Sequence, residues 1–244
     1  MPMRRARRLV SVAVVASLAV TGLSACRSAP AMAAYVGDVK ISDARARAVY
    51  DEVHKALAAA RPAANGAPAR EVTRADVVGV LVGAELLPEL AKQQNATLAS
   101  DIPLDTYAAA LQLPANTEYT RLYVQASEYA RALLPKVTNA PQATDADLRE
   151  VFDALVVATG TSGTTFEQFK SGLTADNTKA VQTAAGLRQE IDDAATKADL
   201  RINPRYEGAS LPVLQSQLQQ DGPLVRLMSA PLAAGDAAPV SATS

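Results

Sequence analysis

Cysteine and histidine each occur once in this chain of 244 residues. A lone Cys26 has no partner for an intramolecular disulfide, so no covalent staple holds the fold. A zinc centre needs several His, Cys or carboxylate ligands converging, and one Cys26 with one His54 does not supply that set. His54 stands alone on a charged helical segment and reads as a surface residue. Nucleophilic catalysis is short of parts too. The stretch GTSG, Gly160 to Gly163, is one residue too short for a Gly-x-Ser-x-Gly elbow, and no strand precedes it. Excess charge is also missing, with 24 Lys and Arg against 25 Asp and Glu. No cofactor or metal is expected, and no catalytic residue is assigned.

What is present begins with MPMRRARR, a basic patch of Arg4, Arg5, Arg7 and Arg8. The apolar run LVSVAVVASLAV follows. A basic stretch before a short apolar run is the pattern of a secretory signal. It falls short of the roughly 20 apolar residues that a membrane span needs. Leu23-Ser24-Ala25-Cys26 then resembles the lipobox of bacterial lipoproteins, whose cysteine carries a diacylglycerol. That resemblance implies cleavage before Cys26, lipid attachment there, and a chain held on the extracytoplasmic face of a membrane. Residues 26–32 are small and polar, as a tether should be. Removing the four arginines of residues 1–25 from a net charge of −1 leaves −5. An acidic mature chain argues against nucleic acid as a partner. The partner at this end is the lipid bilayer, through acylated Cys26.

The middle of the chain reads as mainly helical. Gly37-Asp38 between short β-formers signals a two-residue hairpin, with strands at 34–36 and 39–41. Ser42 caps a first helix with Val49, Val53, Ala56 and Leu57 on one face, which ends in the Pro- and Gly-rich RPAANGAPA. Thr73 and Asp76 start a second helix, and Pro88 should kink or interrupt it. A short helix spans about 104–112. Thr117 caps the clearest helix, whose apolar stripe is Leu122, Ala126, Tyr129 and Leu133. Residues 145–158 form another amphipathic helix. Two more are expected at 165–173 and 178–197, the latter Ala-rich and on a surface. Ala198-Asp199-Leu200-Arg201-Ile202 alternates as a strand. A lone strand cannot satisfy its own backbone groups, so this one should pair with the hairpin at residues 34–41. The following Asn203-Pro204-Arg205-Tyr206 has the form Asn-Pro-x-Tyr, a sorting signal in cytosolic receptor tails. Outside the cytoplasm it reads instead as the end of the strand. The domain is expected over 33–206, with 207–244 a disordered tail rich in Ala, Pro, Ser and Gly.

The order of these pieces resembles the N-terminal domain of the SurA and PrsA folding factors. The landmarks are AAYVGDVKISDARARAVYDEV, LLPELAKQQNATL, ATDADLREVFDAL and ADLRINPRYEG. The resemblance implies a helical domain with a small sheet pairing the N-terminal hairpin with a C-terminal strand, and chaperone-like binding of unfolded or other extracytoplasmic proteins. The family's longer members carry a parvulin isomerase domain between the last two landmarks. Here the gap from Leu155 to Asp199 holds only a loop and helices, so isomerase catalysis is not implied. An accessory lipoprotein that docks one cell-envelope partner is the alternative.

Remaining features read as surface chemistry. Glu190, Asp192 and Asp193 lie among Gln, Thr and Lys as a solvated face. Asn95 opens a glycosylation sequon and reads as loop polarity. Tyr107, Tyr119, Tyr123 and Tyr129 combine apolar rings with polar tips. They are candidates to line a client-binding groove, with core packing as the competing role.

Overall fold

A computed structural model describes residues 31–60, 71–160, 163–220 and 222–232. Cys26, the signal segment, the link after the first helix and residues 233–244 lie outside the described residues. No described helix is long and apolar enough to cross a membrane.

The fold is mainly helical with two small antiparallel sheets. β1 (Met32–Val36) and β2 (Val39–Ser42) turn at Gly37, whose φ of +57° suits a residue without a Cβ. β3 (Arg201–Ile202) pairs with β1, placing Ala34 opposite Ile202 and Tyr35 opposite Arg201. The order β2-β1-β3 joins the two ends of the helical region, as the isolated alternation at 198–202 requires. β3 is shorter than that alternation. The preceding helix runs to Lys197, and Asp199 turns with φ +48° before Leu200.

Helix α1 (Asp43–Ala60) starts where the Ser42 hydroxyl accepts the Arg45 N–H at 3.1 Å. It buries Ala46, Val49, Val53 and Leu57, one residue per turn. Helix α2 (Arg74–Gln93) opens on a reciprocal cap. The Thr73 hydroxyl accepts the Asp76 N–H at 3.1 Å, and the Asp76 carboxylate accepts the Thr73 N–H at 2.9 Å. Pro88 does not interrupt this helix, which continues to Gln93. Proline's missing donor removes one helical hydrogen bond, while Leu86, Leu87, Leu90 and Ala91 on either side stay buried. Helices α3 (Leu104–Leu111), α4 (Glu118–Leu133), α5 (Asp145–Thr159), α6 (Phe166–Gly172) and α7 (Ala175–Lys197) follow.

Two helices sit differently from the sequence expectation. On α4 the buried face is centred on Tyr119, Tyr123, Ala126, Ala130 and Leu133, while Leu122 and Tyr129 are half-buried. Helix α7 is not a surface helix. It buries Val181, Ala184, Ala185, Gly186, Leu187 and Ile191. Its small residues permit close approach: a Cβ on Gly186 would stand 2.6 Å from Val137 Cγ1 and 3.2 Å from Ala140 Cα.

The expected disordered tail from 207 is the largest correction. Residues Ser210–Gln217 form β4 and Leu224–Pro231 form β5, an antiparallel pair inserted among the helices. Leu211, Val213, Leu227, Met228, Ala230 and Leu232 are buried in the common core. Two glycines on α2 admit β4. A Cβ on Gly79 would meet the Ser210 carbonyl oxygen at 2.5 Å, and one on Gly83 would meet Leu211 Cδ2 at 2.5 Å. The ordered domain therefore reaches at least Leu232.

Asn203-Pro204-Arg205-Tyr206 is part of this structure. The Asn203 N–H donates to Ala33 O at 2.9 Å, and its side-chain amide donates to Met32 O at 3.1 Å. A turn of 3-10 helix at Pro204–Tyr206 then buries Tyr206, whose hydroxyl donates to Asp43 at the start of α1. Hydrogen bonding from Tyr206 is the largest influence on Asp43, and it lowers that carboxyl below its ordinary value; Arg205 and Arg47 add to the effect.

Candidate functional site

An apolar groove lies at one end of the second sheet. Its walls are Leu111 at the end of α3, Ala154 and Val157 on α5, and Leu224 and Val225 at the start of β5. The groove encloses about 570 Å³. Val157 is 83% exposed, the most exposed large apolar side chain among the described residues. Burying such a side chain is worth roughly 1.5–3 kcal/mol, so the groove offers favourable surface to an apolar partner. Asp153 and Arg226 border it with opposite charges, which gives the rim no strong charge preference.

Local structure fixes both walls. Helix α5 begins at a second reciprocal cap, with the Thr144 hydroxyl accepting the Asp147 N–H at 3.2 Å and Asp147 accepting the Thr144 N–H at 2.9 Å. It ends at Gly160 in the left-handed conformation, φ +71°. β5 is held against α5 and α7 by a charged lattice. Arg188 on α7 donates to Ser229 O at 2.8 Å, to Asp147 Oδ1 at 2.9 Å and to Glu150. Glu150 in turn accepts the Ser229 N–H at 2.8 Å. Both backbone groups of Ser229 are thus satisfied by side chains, as a neighbouring strand would satisfy them. Pro212 stands opposite Ser229. Because Ser229 turns its N–H and C=O away from β4, this pair exchanges no ladder bonds, and the donor Pro212 lacks costs the pairing nothing.

The four candidate tyrosines separate into two roles. Tyr119 and Tyr123 are each 1% exposed and belong to the core. They do not line a groove open to a client. The Tyr123 hydroxyl accepts a hydrogen bond from Gln215 on β4 at 2.9 Å, so its polar tip is satisfied inside. Tyr129 is half-buried against the core. Tyr107 is half-buried, and its hydroxyl donates to Glu128 Oε1 at 2.5 Å. Burial pushes the Tyr107 phenol up, and the Glu128 carboxylate pushes it further. Glu128 is itself 2% exposed. Burial alone would raise its carboxyl, but the hydrogen bonds from Arg131 and Tyr107 prevail and hold it below its ordinary value.

His54 is half-buried rather than a surface residue. Its Nε2 lies 2.8 Å from Val72 O, and its ring packs on Tyr50 with centroids 4.0 Å apart. Glu190 accepts the Gln94 side-chain amide at 2.7 Å, while Asp192 and Asp193 are exposed. Among the described residues no group of three or more His, Cys, Asp or Glu converges as a metal site. Asn95 takes a left-handed turn, φ +51°, just after α2. Sequence reasoning missed the Val157 groove because half of it is built by β5. The available signal was Asp221-Gly222, a turn dipeptide between the apolar-rich stretches 211–214 and 224–228.

No family model, no curated protein and no solved structure matches the chain.

Proposed function

We propose that this chain is a lipoprotein held by acylated Cys26 on the extracytoplasmic face of a membrane, whose helical domain binds apolar stretches of non-native polypeptides without catalysis. The observation that carries the reading is the open apolar groove around Val157. Exposed apolar surface with a mixed polar rim is a mark of protein interaction. The resemblance of the hairpin, helices and closing strand to the SurA and PrsA N-terminal domain supports the same class of ligand and a SurA-like fold. The lipobox resemblance supports the anchor.

The test uses the chain from residue 26 onward with Cys26→Ser, added to a reduced, unfolded client. The expected result is suppressed aggregation at near-stoichiometric ratio, weakened by Val157→Asp. No suppression at several-fold excess, with folding verified by circular dichroism, would contradict it. A single stoichiometric envelope partner competing for the Val157 groove, with no effect on unfolded clients, would establish the accessory role instead. Fatty-acid labelling of the full chain, lost in Cys26→Ser, tests the anchor separately.

A further inference from the structure

We propose that the free edge of β2 and the groove beside it form a second peptide site, which takes an extended segment carrying Lys or Arg at alternate positions. This rests on the polypeptide-binding reading above but uses a different surface.

β2 pairs with β1 on one side, and no described strand covers the other. Residues on β1 alternate in the direction of their backbone groups. Ala33 O accepts from Asn203 on the β3 side, so Tyr35, two residues on, also turns toward β3. Lys40 stands opposite Tyr35. Its N–H and C=O therefore point away from β1, toward the open edge. An unpaired edge is a template for an added strand.

Val39 lies on this edge and is 44% exposed. It also lines a groove of about 430 Å³ under the hairpin tip, whose apolar floor includes Leu86 and Leu90 of α2. Glu85 and Glu89 stand on the α2 wall, one turn apart and both exposed. Lys197 is on the opposite wall, so the negative charge is confined to the α2 side. An apolar floor below two carboxylates matches the long stem and charged end of Lys or Arg. Side chains of an added strand alternate between faces. The residues flanking Val39 on its own face would meet the groove. The ones between them would lie on the Tyr35 and Lys40 face, where Lys40, Lys197 and Arg201 outnumber Asp38 and Asp199 and a further cation is disfavoured. That is why the segment alternates rather than being uniformly basic.

The probe is a fluorescent ten-residue peptide alternating Lys and Thr, titrated by anisotropy into the chain from residue 26 with Cys26→Ser. Binding should weaken about tenfold in the double variant Glu85→Gln, Glu89→Gln, and weaken with added salt. It should be lost in Lys40→Pro, which removes the outward donor but none to β1. Val157→Asp should leave it unchanged. Equal binding by the carboxamide double variant, or by a Glu-Thr peptide, overturns the proposal. So does a stable edge-to-edge dimer of the chain in light scattering. If the peptide does not bind while unfolded clients are still protected, this site fails and the Val157 reading stands.

Discussion

Ending the chain at Gly208 removes β4 and β5 while leaving every helix and the three-stranded sheet in place. The sequence pattern alone makes that cut look harmless. The structure makes it severe. Five large apolar side chains buried in the core are lost: Leu211, Val213, Leu227, Met228 and Leu232. At roughly 1.5–3 kcal/mol for each, the lost burial is on the order of 8–15 kcal/mol, taken against an extended chain and so an upper estimate. A whole domain is typically stable by only about 5–15 kcal/mol. The cut also leaves Tyr123 without the Gln215 amide, and Arg188 and Glu150 without Ser229. The prediction is loss of the cooperative transition in urea, followed by far-ultraviolet circular dichroism and tyrosine fluorescence. Ending at Leu232 should leave the midpoint unchanged. A chain ending at Gly208 that unfolds cooperatively at the parent midpoint would refute the reasoning.

Gly79→Val would drive a side chain into the Ser210 backbone, and should cost about 1–3 kcal/mol by overpacking in a denaturant titration. Arg188→Ala removes the donor shared by Asp147, Glu150 and Ser229 O. It should cost ~2–3 kcal/mol, with hydrogen exchange rising first in β5. Tyr107→Phe should cost ~1.5 kcal/mol, since the hydroxyl bonds a charged acceptor. Because the folded-state value of Glu128 is depressed, its contribution is present above its unfolded value of about 4.5 and is lost as pH falls through the lower folded value. Glu128→Gln should therefore flatten the stability profile below about pH 4.5, and an unchanged acid limb would contradict the assignment.

The sequence made the helical framework legible because its signals are local. Ser42, Thr73 and Thr117 each precede a helix and cap it in the structure. The closing strand was legible by elimination, since Leu200 to Ile202 alternates where nothing nearby does and needs a partner. The second hairpin was hidden for two physical reasons. Pro212 lies inside the run, where a proline argues against a paired strand in the sequence, and irregularities between Pro212 and Gln215 break the period of two. Omitting β4 also misdirected the tyrosines, because Gln215 on β4 is the residue that meets the Tyr123 hydroxyl inside the core. Helix α7 was misplaced because alanine and glycine contribute little hydropathy, yet they let the chain at Val137 and Ala140 pack closely against it. Of the groove, only the α5 side was visible as an amphipathic helix. The β5 side required the hairpin.

Photo-crosslinking from position 157 tests the central claim most directly. A photoreactive residue there, in the chain from residue 26 with Cys26→Ser, is irradiated with a reduced unfolded protein and with its folded form. Position 192, exposed on α7, serves as the control. The account predicts adducts at 157 with the unfolded form only, well above those at 192. Equal yields at the two positions, or equal yields with folded and unfolded protein, would contradict it.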